Sequence, residues 1–401
     1  MKLRYKASNK AGDIVQGFIE AKSVQEAAYF LRGKEFLPIK IQVLEEKSLS
    51  QLLLLFTHRG SGELVLFTRQ LSSMLTSGLT LIQALTILQE QIQNAAMQSV
   101  IKGIVKEVEE GRTFSDALAK YPKVFSPIYI SLINAGESSG FLDKILGRLA
   151  DNLEKAQKLH STIKGALMYP VIVITLMIIV MTLMMIFVIP QLGVLYDNLG
   201  VPLPLPTRIV VGLSNFTINF WWIVLGGIIC IIFLFRRLSK TKSGRSFLDK
   251  VVLQLPIFGK LISQTILAEF TRTFGLLVSS GTLIVQSLKQ TADVAGNTVY
   301  KEAITEVAAS IERGVTVGDA MTPYKIFPPM IVEMVKIGEQ TGKLDESLLK
   351  VSEYYEREVD TTVKSLTTAM EPLIMVVLGV GVAFLIISVI TPIYSLTSSI
   401  K

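Results

Sequence analysis

Two five-residue segments invite a chemical reading first. Gly136-Glu137-Ser138-Ser139-Gly140 and Gly338-Glu339-Gln340-Thr341-Gly342 set paired glycines around hydroxyl-bearing residues, the makings of a phosphate cradle. A Walker-type loop needs four residues between its glycines, then Lys followed by Ser or Thr. Here only three residues intervene, and Lys343 is followed by Leu344. The chain therefore carries no nucleotide-binding signature of its own. The spacing suits a tight helix–helix turn, with glycine supplying positive φ. Glu137 and Glu339 then stand where a carboxylate can bond the first free N–H groups of the next helix. A partner contact or a divalent ion is the alternative use. The candidate turn and partner-contact residues are Gly136, Glu137, Gly140 and Leu142, with Gly338, Glu339, Gly342 and Leu344.

Little else in the chain has the makings of a reactive site. His58 and His160 are far apart, with no cysteine or second histidine beside either, so they form no metal-ligand set. Cys230 is the sole cysteine and lies in an apolar run, which excludes an intrachain disulfide. No Ser/His/Asp or Cys/His constellation is assembled. The reading is a protein that is not an enzyme, with no catalytic, cofactor-binding or metal residues and no cofactor.

The elements that must position the two segments occur twice. Phe67-Thr68-Arg69 returns as Phe270-Thr271-Arg272, Ser77-Gly78 as Ser280-Gly281, and Gly111 and Asp116 as Gly314 and Asp319. Leu142-Asp143 matches Leu344-Asp345, Met168 matches Met370, and Pro170 and Pro190 match Pro372 and Pro392. Repetition on this scale means a duplicated structural unit. Apolar stripes at helical spacing, such as Leu64, Phe67, Leu71 and Leu75, then Ile82, Leu85, Leu88 and Ile92, mark helices packed on helices. Each copy reads as a bundle of about six helices. Short helices are expected near 115–120 and 127–135, with a long one from Phe141.

Half of the 401 residues are hydrophobic, and the excess is concentrated in three runs: 171–189, 220–235 and 373–390. None contains a charge. A span needs roughly 20 predominantly apolar residues, so all three read as transmembrane helices. Pro170, Glu371 and Pro372 are the expected membrane-entry residues, Glu371 being interfacial rather than a proton relay. Lys155, Lys158 and Lys164 precede the first run, and Arg236, Arg237, Lys240, Lys242 and Arg245 follow the second. Loops rich in Lys and Arg stay in the cytoplasm, so the N-terminus and both polar modules are expected inside. The stretch from 191 to 216 and the C-terminus are expected outside. The net charge of +7 has no base-stacking aromatics or recognition motif beside it, so it reads as attraction to lipid headgroups and not to nucleic acid. The opening MKLRYKASNKAGD is polar, without the apolar core of a cleaved signal peptide.

The fold class is predominantly α: a polytopic membrane protein with three transmembrane helices, two repeated cytoplasmic helical bundles and a small N-terminal α/β unit. Residues 1–45 form that unit, with a hairpin turning at 9–13 and a helix capped by Ser23. A linker over 46–62 ends where Gly60 and Gly62 break the chain. The first bundle takes 63–168, the first span 169–190, an extracytoplasmic loop 191–216 and the second span 217–236. A cytoplasmic linker covers 237–265, its Leu255-Pro256-Ile257 break bending the chain off the membrane surface. The second bundle takes 266–369, the third span 370–392 and an extracytoplasmic tail 393–401.

The repeated Phe-Thr-Arg…Ser-Gly opening, the Gly-Glu-x-x-Gly-x-Leu-Asp corners and Leu255-Pro256-Ile257-Phe258-Gly259-Lys260 together resemble the GspF/PilC family. These are inner-membrane platform proteins of type II secretion systems and type IV pili. The resemblance covers essentially the whole chain, including Tyr5-Lys6-Ala7…Gly12…Gly17…Glu20-Ala21. It implies a homo-oligomeric assembly core in the bacterial cytoplasmic membrane. It also implies, as partners, a hexameric cytoplasmic ATPase, pilin or pseudopilin subunits, an inner-membrane alignment subcomplex and membrane lipids. In that setting Glu137 and Glu339 are candidates for passing on ATPase movement. The rival readings are a small-solute permease, which wants an inverted repeat and polar groups at mid-membrane, and a passive membrane scaffold without ATPase contact.

Overall fold

The computed structural model describes residues 2–8, 14–20, 24–33, 36–43, 60–199, 208, 211–212, 214, 216–217, 219–239, 241–256 and 258–399. The expected hairpin turn at 9–13, the Ser23 cap, the linker before residue 60 and the proline-rich stretch 201–207 lie outside them. The chain divides into two compact units, 1–61 and 62–401.

In the first unit, β1 (Lys2–Ser8), β2 (Ile14–Glu20) and β3 (Leu37–Val43) form a sheet of order β2-β1-β3. Both pairings are antiparallel. The β1–β3 register shifts between Lys6 and Ala7, whose partners are Lys40 and Pro38. A proline has no N–H to give the ladder, and a bulge accommodates it. Helix α1 (Val24–Gly33) follows β2, and its Ala27 and Leu31 are buried, as is Ala7 of β1.

The second unit holds the duplicated helices. In the first copy they are α2 (Gly60–Thr76), α3 (Leu81–Gln91), α4 (Ala95–Glu109), α5 (Phe114–Ala119), α6 (Pro127–Ser139) and α7 (Leu142–Leu183). A π-turn (Met184–Val188) joins α7 to α8 (Ile189–Leu199), and α9 (Trp221–Leu238) and α10 (Lys242–Gln254) follow. The second copy is α11 (Phe258–Ser279), α12 (Ile284–Val294), α13 (Thr298–Glu312), α14 (Val317–Met321), α15 (Pro329–Thr341) and α16 (Leu344–Ser399). Equivalent helices start on equivalent caps: Thr113 accepts from the Asp116 N–H, and Thr316 from the Asp319 N–H.

Several boundaries differ from the sequence reading. Gly60 and Gly62 do not break the chain; they form the first turn of α2, where backbone N–H groups need no helical partner. α6 runs four residues past Ala135 to Ser139, because Gly136 keeps helical geometry and only Gly140 turns left-handed. The expected outer loop begins as helix, since α8 continues to Leu199, and the C-terminal tail is helical through Ser399.

The chain also does not break where bundle was divided from span. α7 runs through Pro170, and α16 through Pro372. A proline inside a helix costs one backbone hydrogen bond and crowds the carbonyl four residues earlier. Before Pro190 the helix widens into the π-turn, where the Ile189 N–H reaches back to the Met184 carbonyl. Among the described residues two helices are long and apolar enough to cross a membrane, Leu142–Gln191 and Leu344–Ala383. Their apolar faces, including Ile172, Leu176, Ile179, Met375, Val376 and Val380, are exposed. The two segments run side by side at Met177 and Gly381, where a Cβ on the glycine would stand 3.8 Å from the methionine sulfur. The middle apolar run forms α9, an 18-residue helix. α10 and α11 reach the same length and apolarity as a pair, but they are bent by 110°. α11 is moreover buried in the second core, with Leu267, Ala268, Phe270 and Phe274 nearly inaccessible. That pair belongs to the bundle.

Each bundle has its own core, yet the cores interlock. Phe67, Leu85, Ile104, Phe114 and Leu132 lead the first, which Leu276 and Leu277 of α11 complete. The second, built on Phe274, Ile304, Val335 and Leu348, takes in Leu159 of α7. Neither copy is closed without a piece of the other.

Candidate functional site

The Gly-Glu corners join α6 to α7 and α15 to α16, the helices that continue into the apolar segments. Gly140 (φ 74°) and Gly342 (φ 70°) adopt the left-handed conformation that glycine tolerates best. The Phe141 N–H returns to the Gly136 carbonyl at 2.9 Å, and the Lys343 N–H to Gly338 at 2.8 Å, which satisfies carbonyls a helix end leaves open. Gly136 and Gly338 do a different job. A Cβ on Gly136 would stand 3.1 Å from Ile145 Cβ, and one on Gly338 would stand 2.9 Å from Leu344 Cα. The glycines let the two helices of each corner close on one another. Leu142 and Leu344 start the outgoing helices and pack on the first and second cores.

The two glutamates correct the sequence reading. Neither caps the helix that follows. Glu137 lies in the last turn of α6 and reaches back to α5: Oε1 accepts from the Phe114 N–H at 2.7 Å, and Oε2 from the Ser115 N–H at 3.1 Å. The Ser115 hydroxyl adds a third bond at 2.9 Å. Glu339 repeats this on α14, accepting from the Val317 N–H at 2.9 Å and the Gly318 N–H at 3.2 Å. The reason lies in direction. Side chains on a helix lean toward its N-terminus, so a glutamate in the last turn faces away from the helix that follows. The free N–H groups within reach are those of the short helix packed alongside. Each corner is thus clamped to a short helix by a carboxylate on otherwise unpaired backbone donors.

A second pair of contacts, missed in the sequence, ties the first helix of each copy to the last. Arg69 on α2 donates to Glu154 on α7 at 2.6 and 2.7 Å and also reaches Asp151. Arg272 on α11 pairs with Glu356 on α16 at 2.8 Å. The Arg69 guanidinium holds the Glu154 carboxyl below the usual carboxylate range. The signal was present: Glu154 and Glu356 fall at the same repeat offset as the Gly-Glu corners. The copies differ in depth, since the Arg69 side chain is 36% exposed and that of Arg272 only 4%. Tyr129, buried in the first core, shares a hydrogen bond with Thr68 at 3.0 Å, and burial pushes its phenol above the ordinary range.

Polar contacts also bridge the copies. Lys155 meets Glu353 at 3.2 Å, Gln290 donates to the Ser131 hydroxyl at 3.2 Å, and Arg148 donates to the Ser279 carbonyl at 3.1 Å. His160 on α7 lies 3.2 Å from Glu269 on α11, and that hydrogen bond raises the imidazole pKa. A groove of about 310 Å³ between the copies is lined by Leu64, Tyr129, Leu153, Phe270 and Leu276. Among the described residues no group of three or more His, Cys, Asp or Glu side chains gathers to hold a metal ion. Pro170 is buried, while Glu371 and Pro372 are exposed on α16 at the start of its apolar run.

A duplicated bundle of helices that drives two of its own members into long apolar segments is a membrane-anchored helical protein in form. The chain belongs to the family of type II secretion system protein F: residues 67–190 and 270–392 each match "Type II secretion system (T2SS), protein F". Residues 4–42 match the "Type II secretion system protein F, N-terminal domain". The chain is 38% identical to type IV pilus assembly protein PilC of Thermus thermophilus, covering 99% of this chain and 98% of that protein. It is 36% identical to PilC of Myxococcus xanthus over 99% of this chain and 95% of that one. Identity to type II secretion system protein F of Vibrio cholerae is 28%, over 98% of each.

Proposed function

We propose that this chain is the inner-membrane platform of a type IV pilus or type II secretion machine. In this role it takes up the movement of a cytoplasmic hexameric ATPase and passes it to pilin or pseudopilin subunits leaving the membrane. The observation that carries the reading is the continuity of α7 and α16, each running without a break from bundle into apolar segment. A displacement imposed on either bundle therefore arrives in the bilayer through hydrogen-bonded helix rather than a slack linker. Three helices cross in this reading: the apolar parts of α7 and α16, and α9. Lys155, Lys158 and Lys164 before the first and Arg236 and Arg237 after the second favour both bundles and the N-terminus inside, with 191–216 and the C-terminus outside. The uncharged spans give pilin helices an apolar surface to pack on. The clamped corners, Gly136 to Leu142 and Gly338 to Leu344, keep bundle and outgoing helix in one body, with Pro170, Glu371 and Pro372 at the membrane entry. Further partners are the alignment subcomplex of the inner membrane and other copies of this chain. The names of the relatives, which speak of pilus assembly and type II secretion, agree with the role.

Deleting the gene should abolish surface filaments or secretion while pilins accumulate in the membrane; normal filaments in the deletion strain overturn the platform role. The ATPase should co-purify with the chain, and its absence from detergent extracts that retain pilin contact would favour a passive scaffold. Three glycines inserted after Lys164 should leave both bundles folded and stop assembly. Normal assembly by that variant would refute transmission through the helix.

A further inference from the structure

α10 is the one helix between α9 and the second bundle, and it turns different faces to different neighbours. Asp249 accepts from the Thr298 N–H at 2.7 Å, capping the start of α13, and Arg245 donates to the Gly296 carbonyl at 3.4 Å. That face is fixed on the bundle. The opposite face exposes Phe247 (67%) and Val251 (38%), and the corner that follows exposes Leu255 (46%) and Phe258 (40%). A phenylalanine two-thirds exposed on a helix whose other side is docked calls for a cover.

The geometry identifies which cover. The start of α11 packs beside the part of α16 just before its apolar run: Gln264 bonds Glu358 at 3.1 Å and Thr362 at 2.8 Å, and Lys260 lines one hollow with Leu366 and Ala369. The α10–α11 corner therefore stands close to the level at which α16 becomes apolar. α10 leaves that corner at 110° to α11, so it runs across the membrane-facing end of the bundle rather than along it. Both ends are folded tightly. A Cβ on Gly244 would overlap the Leu238 carbonyl, and one on Gly259 the Leu253 carbonyl. Exposed basic residues surround it: Arg236, Arg237, Lys250 and Lys260.

We propose that α10 is an interfacial helix, lying in the plane of the cytoplasmic leaflet with Phe247 and Val251 at the boundary of headgroups and acyl chains and the surrounding Arg and Lys on anionic headgroups. Helices of this composition bury an apolar face about 5–10 Å into that boundary, and each nearby cation adds attraction to an anionic surface. The proposal rests on the reading that α9 crosses the bilayer. It gives the second bundle a foot on the membrane beyond its own span.

The single cysteine makes the test direct. The full-length chain is reconstituted in phosphatidylethanolamine–phosphatidylglycerol vesicles and labelled with an environment-sensitive fluorophore in four forms: at native Cys230, and, with Cys230→Ser, through Phe247→Cys, Val251→Cys or Ile337→Cys. Ile337 is 51% exposed on α15 and controls for a label that simply adheres to lipid. Nitroxide lipids, spin-labelled either near the top or near the end of the acyl chain, report depth. The expected result is quenching at 230 by the spin label near the chain end, quenching at 247 and 251 mainly by the spin label near the top of the acyl chain, and none at 337. Quenching at 230 with 247 and 251 as bright as 337 overturns the interfacial helix and leaves the span standing. A blue-shifted label at 247 and 251 that lipid cannot quench means protein covers the face, and overturns it too. An unquenched label at 230 refutes the span and the proposal together.

Discussion

Replacing Glu137 by alanine is the sharpest test of the clamped corner. The substitution removes the acceptor for the N–H groups of Phe114 and Ser115, residues that are 0% and 2% exposed. Water has poor access to donors there, so the loss is not made good by rehydration. A hydrogen bond to a charged group contributes about 1.5–3 kcal/mol, and a buried donor left unpaired costs about 1–3 kcal/mol. The two descriptions overlap, and a cost of about 2–4 kcal/mol is expected. For a unit of this length, 62–401, each kcal/mol moves the melting midpoint by roughly 1–2 °C, so Glu137→Ala should melt about 2–8 °C below the parent. Glu137→Gln keeps one acceptor oxygen but turns an amide toward the second donor, and should lose about half as much. Glu339→Ala should cost somewhat less than Glu137→Ala, since Gly318 offers no hydroxyl to match that of Ser115, and the double variant should approach the sum, since the two corners share no partner. The assay is far-UV circular dichroism of the detergent-solubilised chain during heating. Alanine variants that melt with the parent, or a glutamine variant indistinguishable from it, would refute the carboxylate clamp. If corner rigidity also serves force transmission, Ala variants held below their melting point should assemble filaments more slowly.

Other expectations follow from the asymmetry of the copies. Glu356→Ala strands the nearly inaccessible Arg272 and should cost about 3–5 kcal/mol, whereas Glu154→Ala, at an exposed pair, should cost no more than about 1 kcal/mol; the melting midpoints of the two variants decide. Gly338→Ala brings a methyl against the Leu344 backbone and should destabilise by about 1–3 kcal/mol, more than Gly136→Ala, whose tightest neighbour is the Ile145 side chain. The His160–Glu269 contact raises the folded-state pKa of the imidazole above its ordinary 6.5. Its stabilisation is therefore complete below that value and lost as pH rises through the raised one. His160→Gln should lower the melting midpoint at pH 5.5 and leave it unchanged at pH 9; an equal loss at both would assign the effect to packing.

The sequence announced the copies, the apolar runs and the left-handed glycines, because each is local. A repeat offset, a run without charges and a glycine at a helix end need no knowledge of the fold. What it did not disclose depends on neighbours distant in the chain. Glu137 precedes α7 by only five residues, and nearness in sequence suggested that helix as its partner, yet its acceptors face α5, more than twenty residues earlier. The Arg69–Glu154 and Arg272–Glu356 braces span an entire copy. Pro170 and Pro372 read as membrane-entry residues beside the divisions of bundle from span, and α7 and α16 continue through them without ending.

The position of those two prolines has a mechanical consequence. At 1.5 Å per residue, Pro170 stands roughly 40 Å along its helix from Leu142 and roughly 40 Å from Leu199, and Pro372 divides α16 almost as evenly. A rod pivoted at its midpoint neither multiplies displacement nor trades it for force. A tilt of about 7° about such a fulcrum swings each end by roughly 5 Å, close to one helical turn. On the proposed platform role, and with the proline taken as fulcrum, a stroke delivered at the Gly-Glu corner would emerge at the far end of the helix with the same length and the opposite sense.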